Sequence, residues 1–201
     1  MKKKTTKERI LKKAIDLFYE HGFVKASIRD IVAAVGVTNS TVYIHFRNKD
    51  EILFSIIEHI GTVLLETLQE ATESHEDPIE CLREMIFRQV CVVKEKKKEV
   101  KIYIEEQSRL PPKLRKAATD QHRKIFRVFH EKIREAKEKS LIADINETVM
   151  TFCIFGMMNW AYHWFNEKGE LSIEEVAQQI IHIFFQGILK KEALAARGGQ
   201  V

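Results

Sequence analysis

The stretch that decides the fold is Ser27–Phe46, SIRDIVAAVGVTNSTVYIHF. Ser27 is a hydroxyl N-cap, and Ile28, Ile31, Val32 and Val35 follow at helical spacing, so one short apolar-faced helix starts here. Gly36 then turns the chain, Thr38 caps again, and a second helix runs to about Phe46. Two short helices around a glycine turn make a helix-turn-helix. The outward face of the second helix is short and polar: Asn39, Ser40, Thr41, Tyr43 and His45. Small polar side chains allow close approach to base edges in a major groove, and hydroxyls and helix N-terminal N–H groups bind phosphate oxygens. The inward residues Ile28, Ile31, Val35, Val37, Val42 and Phe46 are expected to pack on Ile10, Leu17 and Phe18 of a preceding helix.

Working outward, that preceding helix opens on the capping-box spacing Thr5-x-x-Glu8, carries Ile10, Ala14, Leu17 and Phe18 on one face, and ends at His21-Gly22. Asn48 with Glu51 starts a longer fourth helix, whose apolar face runs from Ile52 through Leu64 toward Glu73. Further starts stand at Asp77-Pro78, Pro111-Pro112, Asp144-x-x-Glu147 and Ser172-x-x-Glu175. Glycine and proline are scarce, eight and three, and no segment alternates as a strand would. The expectation is an all-α protein of about nine helices: a three-helix helix-turn-helix head over residues 4–64 and a larger helical sensor and dimerisation domain over 65–201. The run KEKKKEVK at 94–101 has mixed signs at an expected helix junction and reads as solvated surface.

The net charge of +4 is unevenly spread. Residues 1–50 hold eleven Lys/Arg against five Asp/Glu, leaving 22 against 24 for the remainder, so the basic excess sits in the quarter that contains the helix-turn-helix. Lys2, Lys3, Lys4 and Lys7 allow two readings, a basic arm that reaches phosphates or the minor groove and a solubilising tail. Three cysteines (Cys81, Cys91 and Cys153) without a CxxC pair suggest reduced, packed thiols in a cytoplasmic protein. The basic N-terminus lacks the apolar core of a signal peptide, and no segment has the length and apolarity to span a bilayer, so no membrane partner is expected. None of the eight histidines forms HExxH or pairs with cysteine at ligand spacing, and no glycine-rich phosphate loop or nucleophile motif is present. The expectation is no enzyme activity, no catalytic residue, no metal and no cofactor.

The run Arg9–Leu53 resembles the head of TetR-family repressors at Ala14, Leu17-Phe18, Gly22-Phe23, Ser27-Ile28, Ile31, Ala34, Gly36-Val37, Thr41, Tyr43, Phe46, Lys49 and Leu53. The resemblance covers about the first quarter of the chain. It implies a double-stranded operator as partner, with Thr38, Asn39, Ser40, Thr41, Tyr43 and His45 at the DNA surface, Ser27 and Arg29 on the helix before, and Lys49 at the start of the fourth. Phosphate contacts are expected of Tyr43, His45, Lys49, Ser27 and Thr38, and base-edge contacts of Asn39, Ser40 and Arg29. Two positions depart from the family pattern: Ser40 stands where glycine is usual, adding a hydroxymethyl group toward the groove, and Ala26 stands where threonine is common.

Val149–Phe165 (VMTFCIFGMMNWAYHWF) is apolar nearly all round, and Ile173 onward places apolar residues on two faces. A helix apolar on both sides has two partners. The family resemblance implies a homodimer through the last two helices, with Gly156 and Gly187 allowing close backbone approach. An apolar pocket is expected from Phe87, Cys91, Tyr103, Phe126, Phe129, Met157, Asn159, Trp160 and His163. The stretch from Met157 to Ile188 is similar in flavour to regulators of fatty-acid degradation that respond to acyl-CoA thioesters. A ligand-responsive DNA-binding regulator is therefore expected, a repressor released by a small apolar or acyl-CoA-like effector or a fatty acid. The alternative is a helical assembly or ligand-binding bundle without sequence-specific DNA binding, which salt-dependent, sequence-selective DNA binding would exclude.

Overall fold

The computed structural model describes residues 5–187 as eight α-helices and one short 3₁₀ turn, with no strand among them. The helices are α1 (Thr6–Lys25), α2 (Ile28–Val35), α3 (Asn39–His45), α4 (Lys49–Ser74), α5 (Pro78–Glu105), α6 (Pro112–Glu138), α7 (Glu147–Trp164) and α8 (Ile173–Gly187), with the 3₁₀ turn at Gln107–Arg109 before α6. Lys2, Lys3 and Lys4 of the basic arm, and Ile188 and Leu189 at the end of the expected last helix, lie outside the described residues.

Most starts follow their capping residues. Thr5 with Glu8, Ser27 with Asp30, and Ser172 with Glu175 each close a reciprocal box that satisfies orphan N–H groups at a helix N-terminus. Asp77 Oδ1 accepts from the N–H groups of Ile79 and Glu80 ahead of proline-led α5. One start differs from expectation. Asn146, not Asp144, caps α7, its Oδ1 accepting from Thr148 and Val149. Asp144 instead pairs with Lys137, 2.9 Å away, because an amide two residues closer to the helix already fills the capping geometry. The 94–101 run is also not a junction: it lies inside α5, which kinks at Lys96 (φ −121°, ψ 23°).

Residue contacts divide the chain into two units, the first of residues 1–63 with 96–122 and the second of 64–95 with 123–201. The expected division falls between residues 64 and 65, and the contacts add 96–122 to the N-terminal unit. In the first unit α1 packs on α2 and α3, and Ile10, Ala14, Phe18, Ile31, Val35, Val42 and Phe46 are buried together with Ile52, Leu53, Ile56, Ile57 and Ile60 of α4. Leu17, Ile28 and Val37 are half-buried. In the second unit α7 contacts α8, and Ile154, Met158, Ala161, Val176, Ala177 and Ile181 are buried with Phe129 and Ile133 of α6.

Candidate nucleic-acid interface

The turn between α2 and α3 is fixed by backbone geometry. Gly36 sits in the left-handed region (φ 72°, ψ 46°), and its N–H donates to the Val32 carbonyl. A side chain there is strained even though open space surrounds the Cα. Arg9 of α1 donates to the Val35 carbonyl at 2.7 Å and so ties the first helix to the end of the second. Thr38 Oγ1 accepts from the Thr41 N–H and shares hydrogen bonds of 2.8 Å with the Ser40 and Thr41 hydroxyls. The start of α3 is therefore a small hydroxyl cluster, with the Ser40 side chain part of it.

Val42 points inward and is fully buried, and Phe46 closes the same face. The opposite face presents Asn39, Ser40, Tyr43, Ile44 and His45 to solvent, with Tyr43 53% and Ile44 79% exposed. Thr41 is half-buried and Arg29 on α2 is exposed. Ser27 uses its hydroxyl within α2, donating to Asp30 Oδ2 at 2.7 Å, and this bond is the leading cause that holds the Asp30 carboxyl below its usual range.

Lys49 takes a role that the sequence did not suggest. Its ammonium donates to the carbonyls of Phe23 and Ala26 at 2.8 Å each and stands 4.3 Å over the Phe23 ring. These are carbonyls at the C-terminal end of α1, where orphan acceptors and the negative end of the helix dipole favour a cation. The chain breaks there because Gly22 leaves the helical region (φ 77°, ψ 156°), and the freed Phe23 N–H donates to Glu106. The Lys49 charge is thus directed into the protein.

Two surface residues escaped the sequence reading. Ile44 is an exposed isoleucine on α3, hidden from pattern reasoning because an apolar residue in an amphipathic helix is normally assigned inward. Arg47, just past α3, has a largely exposed side chain that pairs loosely with Glu51 at 3.7 Å. An arginine next to a capped polar helix was a usable signal.

Of the expected pocket residues, Tyr103 belongs to the first unit and the other eight belong to the second. On α6, Phe126 and Phe129 pack with Phe155 at centroid distances of 6.0 and 5.4 Å, and Phe126 also meets Phe152 at 5.2 Å. Phe87, Cys91 and Met157 are half-buried. Asn159, Trp160 and His163 lie on the exposed face of α7, where Trp160 stacks on His163. A cleft of about 730 Å³ in the first unit is bordered by Leu11, Ile15, Asp16, His59 and Lys98, and one of about 550 Å³ in the second by Arg83, Gln179, His182 and Phe185. Neither touches an expected pocket residue.

The thiols are free. Cys81 is buried, Cys91 is pushed up to about 11 chiefly by burial, and Cys153 is exposed on α7, contrary to the expectation of three packed thiols. The reason is that α7 keeps one apolar face uncovered: Val149, Phe152, Trp160 and Trp164 are exposed along it, with open space around Gly156.

Residues 10–56 match the profile of bacterial regulatory proteins of the tetR family, and residues 75–188 match the tetracyclin repressor-like C-terminal domain. The helix-turn-helix-type transcriptional repressor KstR2 of Mycobacterium tuberculosis is 21% identical over 90% of this chain and 92% of its own length. The TtgR regulator of Pseudomonas putida is 29% identical over 41% of this chain and 40% of its own. Among solved structures, AibR in complex with isovaleryl coenzyme A and operator DNA is 27% identical, with a TM-score of 0.84 over 90% of this chain and 98% of that one. No helix of the described residues is long and apolar enough to cross a membrane.

Proposed function

We propose, from the premise that this chain belongs to the TetR family of bacterial regulatory proteins, that it is a cytoplasmic homodimeric repressor that reads an operator with α3 and is released by a small effector with an acyl-CoA-like or otherwise apolar body. The observation that carries the DNA half is the buttressed recognition helix, with Val42 and Phe46 locked inward and Asn39, Ser40, Tyr43, Ile44 and His45 presented outward. Tyr43, His45, Thr38 and Arg47 contact phosphate, Asn39, Ser40 and Arg29 meet base edges, and Ile44 packs on a thymine methyl. The internal bonds of Lys49 favour a supporting role for it over a phosphate contact.

One recognition helix reads only a few base pairs, so two heads must meet successive major grooves roughly 34 Å apart. The uncovered α7 stripe of Val149, Phe152, Trp160 and Trp164, with exposed Ile183 on α8, is the face for a second copy. Asn159 and His163 belong with that face. The effector half rests on the similarity to AibR, whose structure holds isovaleryl coenzyme A, and on the aromatic cluster of α6 and α7. The regulatory role leaves the chain no catalytic step.

The deciding experiment selects an operator from randomised duplex DNA with the wild-type protein, then measures Tyr43→Ala and Ile44→Ala on it. Tyr43→Ala is expected to lose roughly tenfold or more in affinity without loss of folding, and Ile44→Ala to relax preference at one A·T pair. Failure to select any sequence, or unchanged binding by both variants, would overturn the assignment.

A further inference from the structure

Tyr103 on α5 and His122 on α6 stack face to face with ring centroids 4.1 Å apart and planes 12° from parallel. Tyr103 is 4% exposed, and its hydroxyl and His122 Nε2 are both buried without a hydrogen-bond partner. The same unit buries apolar side chains from all three helices: Ile57 and Ile60 of α4, Val100 and Ile102 of α5, and Ala118 of α6. Two orphaned buried polar atoms on one stacked pair cost stability that an all-apolar packing would retain. Such a cost is characteristic of sites that receive a ligand.

The residue next to His122 reaches the helix that follows the reading head. Gln121 lays its carboxamide against Gly61 of α4, close enough that a Cβ on Gly61 would overlap it. Its Nε2 donates to the Glu58 carbonyl at 3.1 Å and to the Thr62 hydroxyl at 3.3 Å. The glycine is therefore a socket, and Gln121 keys α6 to α4.

We propose that Tyr103 and His122 form a recognition pair within the first unit that takes an uncharged hydrogen-bonding group such as a thioester, ester or ketone carbonyl, and that Gln121 passes occupancy of this pair to α4. The reading rests on the sensor function proposed above and adds the class of group recognised. A phenol donates to a carbonyl, and an imidazole Nε2 that bears a proton does the same. Burial disfavours the charged forms of both residues, holding the imidazole down to about 4 and the phenol well above its usual range. A carboxylate would find no fixed positive charge on the pair to offset its desolvation.

The test uses the full-length dimer with octanoyl-CoA and S-octyl-CoA, a thioether that lacks only the carbonyl, and reads thermal midpoint and release of the selected operator. Octanoyl-CoA should act at roughly tenfold lower concentration than the thioether on wild type, and Tyr103→Phe and His122→Phe should lose that discrimination. Tyr103→Phe should also melt higher than wild type without ligand, which shows that the variant is folded. Gln121→Ala and Gly61→Ala should bind octanoyl-CoA as wild type does yet release operator poorly. Full discrimination in both ring variants overturns the recognition pair and leaves the sensor reading standing. Normal release in Gln121→Ala overturns the coupling. No effect of either compound on wild type overturns this inference together with the acyl-thioester reading, while selective operator binding would still hold.

Discussion

Replacing Lys49 with methionine separates two physical roles that a basic residue at the start of α4 can hold. As a phosphate contact, Lys49 would contribute nothing to folding, and its loss would lower the salt dependence of DNA binding by close to one counterion per subunit. As the structure has it, the ammonium donates two 2.8 Å bonds to the Phe23 and Ala26 carbonyls and covers the Phe23 ring at 4.3 Å. The two charge-assisted bonds, partly solvated, together contribute roughly 2 kcal/mol, and the cation–π contact about 0.5 kcal/mol. Methionine keeps the length and most of the apolar contact but strands two carbonyls, so the expected loss is about 2–3 kcal/mol. For a chain of this size that lowers the thermal midpoint by roughly 5–10 °C. The assay pairs a melting curve followed by circular dichroism with operator affinity measured across a salt series. An unchanged midpoint with a shallower salt slope would refute the reasoning and return Lys49 to the phosphate backbone. A lowered midpoint with an unchanged slope at temperatures where the variant is folded is the expected result.

The dimer and the acid response supply two further predictions. Trp160→Glu places a charge in the middle of the exposed α7 stripe and should weaken self-association by roughly thirtyfold or more, measured by sedimentation. In wild type the exposed Cys153 thiol of α7 should alkylate faster on dilution, and an alkylation rate independent of concentration would remove α7 from the interface. His122 has an ordinary value of 6.5 and is held down to about 4 by burial, so the unfolded chain binds its proton first as pH falls. Its stabilising neutrality is complete above pH 6.5 and is lost toward pH 4, a cost on the order of 3 kcal/mol that His122→Phe should abolish. Below that window the carboxylates of Asp30, Asp144 and Glu175, all held below their usual range by Ser27, Lys137 and Ser172 respectively, give up their bonds as they protonate. A pH profile identical in wild type and His122→Phe would show that the imidazole is solvated in the folded state.

Features set by near neighbours in the chain were readable from residue order alone. Helix starts at Thr5, Ser27, Thr38, Asn48, Asp77, Pro112 and Ser172 were legible because a cap acts on N–H groups within three residues of itself. The outward polar face of α3 was legible for the same reason, since 3.6-residue periodicity assigns sides without reference to any partner. The tertiary structure decided what depends on residues far apart in the chain. Lys49 turned inward because α1 ends beside it, 26 residues upstream at Phe23. Tyr103 and His122 met because α5 and α6 return past each other around the Gln107–Arg109 turn, which no periodicity in either helix announces. The apolar stripe of α7 was visible as hydrophobicity, but only packing could divide it into the face buried by Ile154 and Met158 and the face left open at Phe152 and Trp160. A spacing fixes which side chains share a face, and only the folded chain fixes what that face meets.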